Sequence, residues 1–388
     1  KVGAAMTALS IPLEDTELRS LLHELGAEAA RFRFDVAPNP CVGAAILSRG
    51  KVIARGFHER WGGDHAEVEA LEVTTRSGVP RAEWDTLVVT LEPCSTRGKT
   101  GPCTQAIMEA GIESVVIGSV DPDPRHQGQG IRFLEDAGLE ARFLTGAAPL
   151  DEVTPHFLDW TCQDRLRRPY PWIVAKWAQT ATGQLSPPKG HGDGRTISSP
   201  EALEQVQHLR ASVDAILTGV GTVVADDPRL TVRAPARTPQ APDRIILDSG
   251  LRTSPDARLF DAPEAGESAG PIRILCATGP DRAREKGLIV AGAGVHGLRG
   301  DDRRFLNLRG IMTWMWDMGY RRVLLESGPT LLEACFEAGF VDQVRVVTGP
   351  VRGGRGESLG ARLQPAKLGS RRDGECGPDS VLEAFIVR

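Results

Sequence analysis

The feature that most limits how this chain can fold is a set of three metal-binding side chains far apart in sequence: His65 in His65-Ala66-Glu67, then Cys94 and Cys103 with eight residues between them. One imidazole and two thiolates suit Zn²⁺. Three protein ligands leave a fourth tetrahedral position for a water whose pKa the metal lowers, to about 7 in hydrolytic sites. Glu67 is then the proton carrier. Within a helix, residues two apart diverge around the axis, so His65 and Glu67 can address one metal only from a helix end. Val68, Leu71 and Val73 read as the buried side of a helix starting near Asp64, the expected N-cap. Cys94 follows the apolar run Thr86-Leu87-Val88-Val89-Thr90-Leu91, and Pro102-Cys103-Thr104 opens a helical run that ends at Gly111. Both thiolates are therefore expected near helix N-termini, whose positive ends favour the charged form.

Two other readings stay open on the residues alone: a structural zinc site closed by Cys41, or three buried polar residues without metal. A structural site needs a fourth ligand and leaves Glu67 idle. Cys41 opens an apolar run, where a buried free cysteine is ordinary. An open site with a non-ligating glutamate is the constellation of nucleobase deaminases, where the carboxylate shuttles protons during attack on an amidine-like ring carbon.

Apolar periodicity organises the remainder. A helix near 15–33 is followed by strands at 42–48 and 51–57, the His65 helix, strand 86–91, helix 103–110, strand 113–118, helix 128–137 and strand 139–144. The pattern loses its period from 148 to 168, giving a domain over 1–147, a linker over 148–168 and a second domain over 169–388. The second series has strands at 172–176, 213–218, 244–247, 272–276, 322–326 and 342–348, with helices at 200–210, 304–318 and 330–338. Alternation of this kind predicts mainly parallel sheets covered on both faces. At 388 residues the chain exceeds the size of one ordinary core, so two domains are expected.

Composition removes several functions. A net charge of −5 does not suit a surface that coats nucleic acid, and 5% aromatics are too few for a base-stacking platform, so a nucleic-acid base editor is disfavoured. Seven cysteines on a long chain suit a reducing compartment. No apolar run approaches the roughly 18 residues of a membrane span, so a cytoplasmic protein with no membrane partner is expected. In the second half, Glu326-Ser327-Gly328-Pro329-Thr330 leads from a strand into a helix whose free N–H groups suit a pyrophosphate, although an ordinary turn reads the same way. Gly219 and Gly221 lack the third glycine of a dinucleotide fingerprint.

From about residue 20 onward the chain resembles the bifunctional riboflavin-biosynthesis family that joins a diaminohydroxyphosphoribosylaminopyrimidine deaminase to a 5-amino-6-(5-phosphoribosylamino)uracil reductase. The resemblance rests on Pro38-Asn39-Pro40-Cys41-Val42-Gly43, Gly56-Phe57-His58, His65-Ala66-Glu67 and Leu91-Glu92-Pro93-Cys94 through Cys103. Related cytidine, deoxycytidylate and tRNA adenosine deaminases usually carry two residues between the cysteines, and the longer insertion marks the riboflavin branch. The resemblance implies a cytidine-deaminase-like α/β/α domain followed by a dihydrofolate-reductase-like α/β domain. It implies Zn²⁺ on His65, Cys94 and Cys103, Glu67 as catalytic residue, and Asn39 and His58 in the pyrimidine pocket. Arg97 and Lys99 suit the substrate's 5′-phosphate. For the reductase it implies NADPH at Ala178, Thr196, Thr222, Asp226 and the segment Gly328, Pro329, Thr330, Leu331, Leu332, Glu333 and Ala334. Arg210, Leu230, Arg233 and Glu326 match the substrate side. A small-molecule substrate and a homo-oligomer are expected.

The chain departs from the family pattern at Thr182 and Gln184, where a carboxylate and a cation are usual, at Thr196 in place of tryptophan, and at Ser327 in place of glycine. Thr96 stands where histidine is common. A catalytically silent reductase-like domain is the alternative that these departures leave open.

Overall fold

The computed structural model describes residues 13–98, 101–144, 146, 150–161, 169–192, 196–234, 236, 238, 240–299, 306–356 and 358–387. The chain forms two compact units, Lys1–Arg168 and Pro169–Arg388. The first contains helices α1 (Asp15–Ala29), α2 (Arg33–Val36), α3 (Ala66–Ser77), α4 (Cys103–Ala110), α5 (Gln129–Asp136), α6 (Leu150–Val153) and α7 (Pro155–Thr161). Its strands are β1 (Gly43–Ser48), β2 (Lys51–Phe57), β3 (Thr86–Val89), β4 (Ser114–Ile117) and β5 (Glu140–Phe143), in the order β2-β1-β3-β4-β5.

Strand residues alternate between two faces. Ala45, Leu47, Val88 and Val116 meet Leu18, Leu21, Leu22 and Leu25 of α1 on one side. Ala44, Ile46, Leu87, Val89, Val115 and Ile117 meet Ala66, Ala70 and Leu71 of α3, Ile107 of α4 and Leu134 of α5 on the other. The result is a three-layer α/β/α unit. The expected parallel sheet is only half realised, because β1 runs antiparallel to both β2 and β3 while β3, β4 and β5 are parallel. The two-residue turn Arg49-Gly50, with both φ values positive, permits a hairpin where a parallel crossover would need a helix.

The segment read as a linker holds α6 and α7, and its Thr154 and His156 hydrogen-bond to residues of the 39–41 turn. Short helices broken by Pro155 carry too little periodicity to stand out in the sequence.

The second unit contains α8 (Pro200–Ala211), α9 (Val220–Asp226), α10 (Arg282–Val290), α11 (Leu308–Asp317) and α12 (Pro329–Glu337). Its strands are β6 (Trp172–Gln179), β7 (Ala215–Gly219), β8 (Val232–Arg233), β9 (Asp243–Leu247), β10 (Glu267–Ser268), β11 (Ile272–Ala277), β12 (Ala293–Leu298), β13 (Arg322–Leu325), β14 (Val341–Thr348), β15 (Leu368–Cys376) and β16 (Asp379–Ile386). A nine-stranded sheet runs β12-β11-β9-β7-β13-β6-β14-β16-β15. It is parallel through β14, and the last two strands add antiparallel. Ile173, Ala175, Leu217, Val323 and Leu325 pack with Ile311, Met312 and Met315 of α11 and Leu332 and Cys335 of α12. Continuous apolar strands here match a sheet buried on both faces.

Candidate active site

His65 is itself the N-cap of α3, in place of the expected Asp64, with extended backbone and no side-chain cap bond. Its ring is turned instead towards the thiols. Glu67 follows in the first turn and is buried. Cys94 lies in the loop after β3, and Cys103 is the first residue of α4. The Cys103 N–H donates to Cys94 Sγ at 3.4 Å, so the Cys94 sulfur occupies the N-terminal end of the helix that carries the other thiol. His65 Nδ1 lies 3.7 Å from Cys94 Sγ and 3.2 Å from Cys103 Sγ. One ligand atom from each of the three lies within 4.8 Å of the others, and among the described residues no other such group of His, Cys, Asp or Glu occurs.

Electrostatics favours a cation there. The hydrogen bond from Cys103 lowers the Cys94 thiol to about 4, against burial and with help from His65. Cys103, which carries the shared proton, is raised by that same contact and by burial. Burial raises Glu67, and the Cys94 charge adds to it against the pull of His65. Soft thiolates with one imidazole and an open side fit Zn²⁺. Cys41 stays outside the group. Burial pushes its thiol up to about 12, and its N–H donates to Thr154 Oγ1. The closed structural site therefore loses its fourth ligand.

A cavity of about 280 Å³ opens on this group, lined among others by Asn39, His58, Glu67 and Thr96. Asn39 Nδ2 lies 3.1 Å from His58 Nε2, and His58 Nδ1 lies 2.9 Å from the Asp64 carbonyl. Arg97 is exposed between two lining residues, Thr96 and Gly98. Lys99 lies outside the described residues. Trp61, Asp121, Asp123, His126 and Phe157 also line the cavity and were not singled out from the sequence. Asp121 and Asp123 follow the C-terminal end of a parallel strand, the end at which α/β sheets bind ligands. Glu92 fixes that loop, accepting N–H bonds from Asp121, Gly128, Gly130 and Ile131 at 3.0, 2.9, 2.8 and 3.3 Å.

In the second unit, Arg210 and Glu326 form a largely buried ion pair, Nη2 to Oε2 2.6 Å, and Arg210 also donates to the Thr231 carbonyl. Burial would raise the Glu326 carboxyl, but Arg210, Lys176 and Arg233 hold it below the ordinary value. Lys176 is a further residue of this cluster. A lysine within the buried strand Trp172–Gln179 needs a charged partner, which is the signal that could have found it. Leu230 is buried with φ +54°. Thr222 Oγ1 accepts the Gly328 N–H at 3.1 Å, joining α9 to the N-cap of α12. Ala178 lies near the end of β6, two residues beyond Lys176, while Thr196 and Asp226 are exposed. Within the 328–334 segment, Leu332 is core and Glu333 pairs with Arg362, while Gly328 is the N-cap of α12 and Pro329 and Thr330 open the helix.

The donor chemistry also fits a dinucleotide. Thr218 Oγ1 and Asp248 Oδ1 are buried without a hydrogen-bond partner among the described residues. Both stand at the C-terminal ends of neighbouring parallel strands, β7 and β9, the edge at which α/β sheets bind ligands. The departures at Thr182 and Gln184 are absorbed locally. Thr182 Oγ1 accepts the Gly353 N–H at 2.7 Å and donates to Gln184, and Thr180 donates to Gln184 at 3.0 Å.

Residues 16–119 match the cytidine and deoxycytidylate deaminase zinc-binding region, and residues 171–371 match the RibD C-terminal domain. The chain is a bifunctional enzyme, a zinc deaminase joined to an NADPH-dependent reductase. The riboflavin biosynthesis proteins RibD of Aquifex aeolicus and Escherichia coli are 35% and 34% identical to it, each over 83% of this chain and 84% of the relative. Acinetobacter baumannii RibD superposes with a TM-score of 0.65 at 25% identity, covering 97% of this chain and 100% of that one. A deaminase/reductase from Thermotoga maritima gives 0.64 at 26% identity, over 95% and 99%. The chain belongs to the RibD family, and it deaminates and reduces in riboflavin biosynthesis.

Proposed function

We propose that the first unit hydrolyses the exocyclic C–N bond at C2 of 2,5-diamino-6-ribosylamino-4(3H)-pyrimidinone 5′-phosphate, and that the second reduces the ribosyl group of the product to ribityl with NADPH. The observation that carries the deaminase assignment is Glu67, buried at the mouth of α3 and sharing one cavity with His65, Cys94, Asn39 and His58. Zinc held by His65, Cys94 and Cys103 supplies Lewis acidity that eases ionisation of water near neutral pH. Glu67 takes the proton from the attacking water as oxygen bonds to C2. It passes that proton to the ring nitrogen, then carries the second proton, from the hydroxyl now on C2, to the departing ammonia as the C–N bond breaks and the carbonyl forms. With the Asn39 amide N–H directed to His58, Oδ1 is left to accept a pyrimidine N–H. Arg97 and Lys99 take the 5′-phosphate.

In the reductase, NADPH supplies the hydride. The Thr330 and Leu331 N–H groups in the first turn of α12 take the pyrophosphate, Gly328 and Pro329 shape the entry to that turn, and Ala178, Thr196, Thr222, Asp226, Glu333 and Ala334 lie along the cofactor, while Leu332 packs in the core beneath. Glu326, Arg210, Arg233 and Leu230 position the sugar, and the Glu326 carboxylate, ionised between three cations, accepts hydroxyl hydrogen bonds. Among the described residues no helix is long and apolar enough to cross a membrane, which accords with a cytoplasmic enzyme. The reading includes a homo-oligomer, to be measured by light scattering. The deciding experiment incubates zinc-loaded protein with the substrate and NADPH and identifies the product by mass spectrometry. A deaminated ribityl product supports both assignments. Arrest at the deaminated ribosyl compound leaves the second unit silent on this substrate.

A further inference from the structure

The turn that carries Asn39 has few backbone bonds of its own. Asn39 N–H donates to Val36 O, Pro40 has no N–H, and β1 does not begin until Gly43. The missing partners come from residues 154–156, more than a hundred positions later. Cys41 N–H donates to Thr154 Oγ1 at 3.2 Å, and the Asn39 carbonyl meets His156 Nε2 at 2.8 Å. A carbonyl can only accept, so His156 Nε2 carries the proton. Both Thr154 and His156 are buried, and the next residue, Phe157, lines the cavity.

From the other side of the turn the geometry is equally directed. The Asp64 carbonyl can only accept, so His58 Nδ1 is protonated and, in the neutral ring, Nε2 is the acceptor for the Asn39 amide. The Asn39 side chain is therefore oriented by His58 while its backbone is held by His156. We infer that His156 is a positioning residue for the deaminase: its bond to the Asn39 carbonyl sets the depth at which Oδ1 meets the N–H edge of a flat, amide-bearing heterocycle. The segment 154–157 thus completes the pyrimidine end of a cavity whose other walls come from residues 39–126. The inference rests on the proposed deaminase reading.

The test is steady-state deamination by the full chain with His156→Leu and His156→Gln, alongside zinc content and thermal melting. Gln places an N–H donor where Nε2 stands, whereas Leu fills the space without one. His156→Leu is expected to raise KM roughly tenfold, the weight of one lost hydrogen bond at a positioned group, with kcat changed far less and zinc retained. His156→Gln is expected to restore most of that loss. Equal KM increases in both variants would reduce His156 to a packing residue and overturn the inference, as would a wild-type KM in His156→Leu. If His156→Leu fails to fold, Thr154→Val is the second probe: it removes the acceptor for Cys41 N–H, and an unchanged KM there overturns the role of the segment. Absence of deamination in the wild-type protein would instead overturn the underlying function.

Discussion

At the scale of single residues, burial does most to set the chemistry. Glu67 has almost no contact with water, and that environment, followed by the charge of Cys94, keeps its carboxyl higher than an exposed one. Glu67→Gln preserves volume and is expected to keep zinc in a metal analysis while losing deamination by about 10²- to 10⁴-fold in an ammonia assay. Near-wild-type turnover would remove Glu67 from its role. Glu326 behaves in the opposite sense. Burial opposes its ionisation, yet Arg210, Lys176 and Arg233 win and depress the folded-state value. A depressed carboxyl stabilises the fold above its unfolded pKa of about 4.3, and that contribution is lost as pH falls through the folded value. The stability gap between wild type and Glu326→Gln, read by urea denaturation, is expected to be widest near neutrality and to narrow with acidification below about pH 4.3. The metal ligands and Glu67 were legible because their residue types and spacing carry chemistry, whereas Asn39 and Glu326 were reached only through the family resemblance. Lys176 was not legible, since a lone lysine in a strand declares its partner only after folding. Asp121, in the loop after β4, and Phe157, in α7, likewise become lining residues only through tertiary placement.

Among elements, the decisive contact is strand β2 under helix α3. A Cβ on Gly56 would lie 2.2 Å from the Ala70 nitrogen and 2.5 Å from the Ala66 carbonyl, so backbone would have to move. Gly56→Ala is therefore expected to destabilise the first unit by about 1–3 kcal/mol in denaturant melts and to lower zinc occupancy, because α3 carries His65 and Glu67. An unchanged melt and full zinc would mean that α3 can shift without cost. The long apolar strands and the helices with clear periodicity were readable to within a few residues, as α4 and β14 illustrate. The terminal pair was not. Leu368–Cys376 is polar and exposed over most of its length, as an edge strand can be, so it offers no alternation to detect. Helix α10 begins with Arg282-Ala283-Arg284-Glu285-Lys286 and buries only Leu288, which leaves almost no apolar stripe.

For the whole molecule, length and the change in pattern near 148 indicated two units, and two unlike sheets carry the two chemistries. Zinc ligands lie only in the first unit among the described residues. A chelator is expected to abolish ammonia release while leaving NADPH-dependent reduction of the already deaminated ribosyl compound at its initial rate, followed by loss of absorbance of NADPH. Joint loss of both activities would show that the reductase depends on the metal. The number of strands in the larger sheet was harder to foresee, because parallel order is decided by crossovers whose partners are remote in sequence.

Glu92 and Cys94 also bear on how such a site can diversify. The anchors of the two sulfurs stand outside the stretch that joins them: Glu92 binds the α5 loop, and Cys103 begins α4. Thr96, Arg97 and Gly98 in between are exposed, and no Cβ on Gly98 or Gly101 would meet an atom within 4 Å. The exposed side chains at 96–98 are thus where a change of charge would meet a different tail on the substrate, while the residues that hold the two sulfurs lie on either side of them.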